Sequence, residues 1–245
     1  MKVDYDKLSQ QYDNHRHGGG PYLGKLVRLA TQCAARHVLE IGAGTGLNTQ
    51  AFLQAYPCRL TALEVSSGMM AKAQVKRLAA HWLQGSAYHI PLTDGCVEFA
   101  FGVYVLHHLG DLDAAFRECA RVIGKGCAAF VTAPSDFIDR HPMNRYFPSF
   151  AKVDKARFQS LDVVEAAFLR SGFARVGVER FVDAPRPIDA AYVERVAHKF
   201  ISTYALLPSD EFEDGVRRLR ADVARKGRLD IDIVWESAAI WGVIE

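Results

Sequence analysis

Residues 38–46 read Val-Leu-Glu-Ile-Gly-Ala-Gly-Thr-Gly, an apolar strand running into a glycine-rich turn, and a second apolar run ends twenty residues past Gly44 in Glu64. Such a turn sets backbone N–H groups and a helix start at one end of a sheet, the arrangement by which open α/β folds hold nucleotide cofactors. The glycine spacing selects among those cofactors. A dinucleotide turn is Gly-x-Gly-x-x-Gly, and its third glycine lets the helix pack tightly on the strand. Here that glycine falls one residue early, at Gly46, and Leu47 occupies the dinucleotide position. Glu40, on the strand just ahead of the turn, is expected to add negative charge, which suits an amino group or a sulfonium and opposes a pyrophosphate. The turn therefore favours S-adenosylmethionine over NAD.

With these residues the chain resembles the class I S-adenosylmethionine-dependent methyltransferases, whose first motif has the form [Val/Ile]-Leu-[Asp/Glu]-[Ile/Val/Leu]-Gly-x-Gly-x-Gly. The resemblance continues through Ile90-Pro91-Leu92, the run Val97–Gly102, Val105-Leu106-His107-His108-Leu109, Arg121–Gly126 and Ser171-Gly172-Phe173, covering roughly residues 36 to 180. It is nearest to the small-molecule branch that includes quinone-biosynthesis C-methyltransferases. Val97 stands for the usual Phe and Glu98 for the usual Asp.

The fold expected from the pattern is α/β: strands alternating with amphipathic helices imply a parallel sheet covered on both faces. Strands are expected at 38–41, 60–65, 82–84, 97–101, 128–132 and 173–181. Helices are expected at 22–29, from Leu47 to Pro57, at 69–78 with Ser66 or Ser67 as N-cap, at 111–123 and at 161–170. The resemblance makes this a Rossmann-like, doubly wound, mostly parallel seven-stranded sheet with helical cap insertions. One methyltransferase domain is expected over 1–245. Its core spans 31–182 plus closing strands in 231–245, where 231–234 and 239–244 read as an antiparallel pair or two edge strands. Segments 1–30, 137–160 and 184–230 fit no sheet pattern and read as lid or cap, the usual seat of specificity on a rigid scaffold.

In such a sheet the ligand lies outside the carboxyl ends of the strands, so the residues just after each strand are site candidates. Gly42, Ala43 and Gly44 let backbone approach the methionine part of the cofactor. Glu64, followed by Val65, can accept a hydrogen bond from each ribose hydroxyl, the alternative being a solvated strand-end carboxylate. After strand three the family usually shows Gly-Asp-Ala. Here Gly85-Ser86-Ala87 replaces the acid by a hydroxyl, leaving Ser86 and the Ala87 amide as adenine contacts. Val103 follows strand four, and Tyr12 and Arg16 are expected to close over the cofactor, Arg16 toward its carboxylate; their alternative is a loose N-terminal arm.

Methyl transfer from a sulfonium chiefly requires positioning, and a base is optional. Tyr104, His107 and His108 lie beside the expected methyl group and are the candidate catalytic side chains, with packing or capping as the plainer role. His141, Arg145 and Tyr146 follow strand five in the run His141–Pro148, which reads either as a substrate lid or as a proline-held surface loop; Arg145 could pair with a substrate carboxylate. The product would be S-adenosylhomocysteine.

Charge and cysteines narrow the remaining classes. Lys plus Arg total 30 against 28 acids, a net +2, which gives no general field for nucleic acid or membrane lipid. Helix 211–226 carries five cations, but acids crowd its start and cations its end, complementing the helix dipole, and Phe212, Val216, Leu219 and Val223 make one apolar face. No nucleic-acid partner is expected; a small-molecule substrate is. Five scattered cysteines form neither a disulfide framework nor a zinc site, and no metal is expected. No run approaches the ~20 apolar residues of a membrane span, and the first residues lack a signal-length apolar stretch, so a cytoplasmic protein is expected. The alternatives are a cofactor-binding, methyltransferase-like protein without turnover and, disfavoured by Leu47, an NAD-dependent oxidoreductase.

Overall fold

In strand β1 (His37–Ile41), preceded by helices α1 (Tyr5–Leu8) and α2 (Leu23–Gln32), alternate side chains enter different cores. Val38 packs with Leu26 and Phe52 on one face of the sheet, while Leu39 packs with Phe116 and Phe168 on the other. Residues buried on both faces are what a central parallel strand requires, and they explain its near-continuous apolar sequence. These positions come from a computed structural model that describes residues 5–9 and 12–245. Residues 1–4, 10 and 11 of the expected lid segment 1–30 lie outside the described residues.

The chain continues through α3 (Leu47–Ala55), β2 (Arg59–Glu64), α4 (Ser67–Val75), β3 (Ala80–Gln84), β4 (Phe99–Val103), α5 (Leu112–Ile123) and β5 (Gly126–Thr132). Two of these helix starts have a side-chain cap. Ser66 caps α4 by accepting from the Met69 N–H at 3.1 Å, and Asp111 caps α5 through the Ala114 N–H at 2.9 Å. Strand β4 begins two residues later than the sequence pattern predicts, because Glu98 turns back to accept from the Arg36 and His37 N–H groups at 3.0 and 2.8 Å.

Then follow α6 (Ser135–Arg140), α7 (Phe150–Lys155), α8 (Leu161–Arg170), β6 (Arg175–Val182), β7 (Arg186–Asp189), α9 (Ala190–Ala197), α10 (Ser202–Leu206), α11 (Ser209–Lys226), β8 (Arg228–Ile233) and β9 (Glu236–Ile244). The main sheet has seven strands in the order β3-β2-β1-β4-β5-β9-β6, parallel from β1 to β5, with β9 antiparallel to both neighbours. This is the mixed, mostly parallel Rossmann-like sheet that the sequence predicts. The order reverses between β1 and β4, so the crevice for a ligand opens above their carboxyl ends.

The C-terminal pair departs from expectation. β8 does not pair with β9; it pairs antiparallel with β7 in a separate two-stranded ribbon. Burial of its two ends goes with this pairing: Leu229 and Ile233 are buried in the cap's own core with Tyr192, Phe212 and Leu219, while Asp230 and Ile231 between them stay exposed where the register shifts. Only β9 closes the main sheet. The cap therefore has a hydrophobic centre of its own, built mainly from α9, α10, α11 and the segment 143–150. Among the described residues no helix is long and apolar enough to cross a membrane.

Candidate active site

Above the carboxyl ends of β1, β2 and β4 lies a cavity of about 810 Å³ enclosed by the N-terminal segment and the cap. Two glycines shape its floor. Gly42 has φ +71°, and a Cβ there would stand 2.5 Å from Val105 Cγ2; Gly44 has φ +58°, with nothing within 4 Å of such a Cβ. The first glycine lets the turn pass under Val105, and the second leaves open space on the cavity side.

Glu64, at the end of β2, is buried and fixed at both oxygens. Oε2 accepts from the Gly44 N–H at 2.8 Å and Oε1 from the Ser66 N–H at 2.8 Å. Each carboxylate oxygen retains a further acceptor site, so both remain able to take a hydroxyl. Beside it Val65 is 69% exposed, a bare apolar side chain on the cavity wall. Ser86 and Ala87 line the same wall; Ser86 Oγ accepts from the Tyr88 N–H at 3.2 Å, which leaves its own hydrogen to donate.

Glu40 departs from its expected role. It is buried beneath the turn, does not line the cavity, and accepts from Thr49 Oγ1 at 2.5 Å. Burial, with the nearby Glu64 charge adding to it against the Thr49 hydrogen bond, raises its carboxyl to about 8. At neutral pH Glu40 is mostly the uncharged acid. The negative charge at this end of the cavity is supplied by Glu64.

The N-terminal segment is tied down over the turn. Asp6 Oδ1 accepts from Ser66 Oγ at 2.6 Å and the Gly68 N–H at 2.8 Å, at the start of α4. Asp13 accepts from Thr45 Oγ1 and pairs with Lys76 at 2.7 Å. Arg16 stacks over the Tyr12 ring at 4.0 Å and donates from Nε to the Phe200 carbonyl at 2.8 Å, linking this segment to the cap. Tyr12 and Arg16 both line the cavity, as does Tyr5, whose importance the sequence did not signal.

After β4, Val103 and Tyr104 also line the cavity. Tyr104 holds a left-handed backbone, φ +52°, uncommon for an aromatic residue, while its N–H donates to the Val131 carbonyl at 2.8 Å. Burial raises its hydroxyl to about 12. His107 stacks on Phe158, centroids 4.3 Å apart, and its Nδ1 is buried with no partner among the described residues. His108 Nε2 meets the Tyr5 hydroxyl at 2.8 Å. Burial first, then the guanidiniums of Arg157 and Arg16, holds His108 down at about 4; burial likewise holds His107 well below the ordinary histidine value. Both rings are neutral at pH 7 and weak as bases, since efficient general-base catalysis needs a pKa near the working pH.

Of the three residues expected after strand five, the structure brings only His141 to the cavity. Tyr146 is turned into the cap, where its hydroxyl donates to Asp222 at 2.9 Å, and Arg145 lies beside it, 5.9 Å from the ring, outside the cavity lining. Their place is taken by residues the sequence did not single out: Asp154, Arg157 and Phe158, in and just after α7, with Trp235 from the turn before β9. They carry no motif; the irregularity of the 137–160 insertion hinted at the first three, and nothing in the sequence singled out Trp235.

Comparisons with known proteins fall on the same region. Residues 39–131 match the methyltransferase domain family model. A ubiquinone/menaquinone biosynthesis C-methyltransferase of Rubrivivax gelatinosus is 32% identical over 113 residues, 44% of this chain and 45% of that protein. A malonyl-[acyl-carrier protein] O-methyltransferase of Yersinia pestis is 30% identical over 122 residues, 50% of this chain and 45% of that protein. The alignments thus span less than half the length of these relatives. Among solved structures, a protein described as a methyltransferase from an antibiotic biosynthesis pathway of Anabaena variabilis superposes with TM-score 0.72 at 23% identity, covering 91% of this chain and 96% of its own. Phosphoethanolamine N-methyltransferase 2 of Haemonchus contortus, solved with S-adenosylhomocysteine, gives TM-score 0.58 at 13% identity over 99% of this chain and 60% of its own. The two superpositions show a shared fold.

Proposed function

We propose that this chain, a member of the class I S-adenosylmethionine-dependent methyltransferases, transfers a methyl group to a small organic acceptor seated between the glycine turn and the cap. The observation that carries this reading is Glu64: its carboxylate is clamped by Gly44 and Ser66 yet keeps an acceptor site on each oxygen, in the same cavity as Tyr104, His107 and His108. When bound, S-adenosylmethionine supplies a methyl carbon activated by its sulfonium, which leaves as the thioether of S-adenosylhomocysteine.

The chain's residues act by binding and orientation. Gly42, Ala43 and Gly44 bring backbone against the methionine part, and Glu64 accepts from the ribose hydroxyls. Val65 packs on the adenine face, while Ser86 and the Ala87 N–H meet its edge. Arg16, carried by the N-terminal segment with Tyr12, faces the cofactor carboxylate. Val103, Tyr104, His107 and His108 wall the reacting centre, excluding water so that the acceptor's lone pair approaches in line as the carbon–sulfur bond breaks. An acceptor that carries a proton on the reacting atom loses it to bulk solvent before it enters the walled centre, so that it reacts already ionised. A cytoplasmic setting belongs to this reading, on the strength of five cysteines that are all free.

Isothermal titration with S-adenosylhomocysteine tests the donor half: micromolar binding is expected, and no heat at millimolar ligand would sink it. A second reading, donor binding without turnover, draws on Tyr104 at about 12 and His108 at about 4, neither poised to take a proton at pH 7. Transfer of isotopically labelled methyl to any added acceptor would overturn that second reading.

A further inference from the structure

The acceptor side of the cavity has a specific chemistry. Phe150, Asp154, Arg157 and Phe158 follow one another along one side of α7 and its continuation, where the Phe158 N–H still donates to the Asp154 carbonyl at 2.8 Å. At the Phe150 end stands a group of flat rings. His141 stacks on Phe150 at 4.7 Å, and Trp235 lies 5.3 Å from both His141 and Phe137. At the Phe158 end stands the His107 ring. With a helical rise of 1.5 Å per residue, Phe150 and Arg157 are separated along the wall by about 10 Å, the length of a small substituted ring.

His141 is 3% exposed and its polarity is fixed. The Met143 N–H donates to its Nδ1 at 3.2 Å, so Nδ1 is an acceptor and the proton of the neutral ring sits on Nε2. Burial pulls its pKa to about 3, which keeps the ring neutral. That Nε2–H is buried with no partner among the described residues, and a buried donor left unpaired is costly. It calls for an oxygen on the ligand.

Arg157 supplies the second requirement. Its side chain is 14% exposed and held in place: Nη2 donates to Asp154 at 2.6 Å and Nη1 to Ser202 Oγ at 3.2 Å. Asp154 is itself held by the Thr203 hydroxyl at 2.8 Å. Asp154 offsets part of this charge, but the Arg157 Nε–H is buried with no partner among the described residues, and this guanidinium together with Arg16 acts on His107 and His108. A charge-assisted donor left open beside the two rings favours an anionic oxygen of the acceptor over a cationic group.

We infer that the methyl acceptor is an aromatic acid. Its ring lies along α7 between the Phe137, His141 and Trp235 group and Phe158, an oxygen of it accepts from His141 Nε2–H, and its negative charge faces Arg157. This rests on the methyl-transfer reading and names the substrate class that reading leaves open.

The test is calorimetric titration of the full chain, saturated with S-adenosylhomocysteine, with three probes: 4-hydroxybenzoate, its neutral amide 4-hydroxybenzamide, and the aliphatic acid hexanoate. The expected result is 4-hydroxybenzoate binding at least about tenfold tighter than either of the others, the size of one charge-assisted hydrogen bond or one lost ring contact. R157M is expected to abolish the preference over the amide and H141F to weaken 4-hydroxybenzoate about tenfold, with S-adenosylhomocysteine affinity kept in both as evidence of folding. If either variant fails to fold, the three-probe comparison on the unmodified chain decides. Equal binding of acid and amide, a preference for hexanoate, or no binding of 4-hydroxybenzoate at millimolar concentration overturns the inference. Absence of S-adenosylhomocysteine binding would instead overturn the methyl-transfer reading, so the two failures are told apart in one experiment.

Discussion

The Glu64 carboxylate and the Gly44 N–H are joined at 2.8 Å, which ties the end of β2 to the apex of the glycine turn across the floor of the cavity. The same side chain thus shapes the turn and lines the cavity. Replacing it removes two acceptors from the ribose side, each hydrogen bond to a charged group being worth ~1.5–3 kcal/mol. E64A is expected to weaken S-adenosylhomocysteine by about 100-fold or more, and E64Q, which keeps one acceptor oxygen, by less. Calorimetry that finds E64A within about threefold of the parent chain removes Glu64 from the site.

The two glycines of the turn predict opposite phenotypes. In G42A the new methyl group meets Val105 Cγ2 at 2.5 Å with φ at +71°, so overpacking adds to backbone strain. A loss of ~2–4 kcal/mol follows, lowering the melting temperature by about 5–10 °C. In G44A the methyl group meets nothing within 4 Å, so only the strain of φ +58° weakens the fold, by ~1–2 kcal/mol. Its methyl group enters the open space beside Gly44 in the cavity lining, where the proposed cofactor would lie. G44A should therefore lose more affinity than G42A while losing less thermal stability, as paired melting and titration curves will show; the reverse order refutes the assignment of that open space.

Glu40 gives a pH dependence with a definite sign. Burial raises its folded pKa from 4.5 to about 8. Between those values the folded chain keeps a proton that the unfolded chain has released, so the stability present at low pH is lost as pH rises through that window. E40Q holds the neutral form permanently and can still accept from Thr49. The melting temperature of the parent chain should thus fall relative to E40Q between pH 5 and 8. Parallel curves for the two proteins over that range count against a buried, protonated Glu40.

Much of this arrangement was readable from the sequence because it depends on local or periodic signals. The strand-to-glycine turn, Glu64 at a strand end and the alternation of Val38 and Leu39 each follow from a few adjacent residues. Glu40 shows where such reading stops: its position was legible, but its charge depends on burial contributed by the whole sheet. Arg145 and His141 show the same limit in the cap. Both stand in one irregular segment rich in aromatic and basic groups, and nothing local says which faces the cavity. The choice is made by Asp222, seventy-six residues beyond Tyr146, which draws the Tyr146 hydroxyl into the cap. Arg157 was silent for a similar reason, since its partners Asp154, Ser202 and Thr203 converge only when α7 and α10 pack.

Ser86 stands where the resemblance leads us to expect an acid, and its surroundings leave room for one to be introduced. Its hydroxyl oxygen already accepts from the Tyr88 N–H at 3.2 Å, a bond that an Asp carboxylate can also make while presenting a second oxygen to the cavity. A charged acceptor exceeds a neutral one by ~1 kcal/mol. S86D should accordingly bind S-adenosylhomocysteine about fivefold more tightly, and an analogue with oxygen in place of the adenine amino group should gain nothing. Equal gain for both ligands would show that Ser86 does not face the adenine edge.

The paired histidines lend themselves to a direct titration. His108 sits at about 4 and His107 well below the ordinary value, because burial disfavours their charged forms and Arg157 and Arg16 face them. In the unfolded chain both protonate near 6.5, so the stability they contribute is present above that value and is lost as pH falls toward 4. Proton NMR of the imidazole Cε1–H signals should find neither ring titrating between pH 5 and 9, and R157M should shift the His108 midpoint upward by removing one facing cation. A midpoint near 6.5 for either ring in the parent chain would mean that water reaches them freely. The walled, water-excluding centre described for methyl transfer would then have to be abandoned, and His107 or His108 would regain standing as a base.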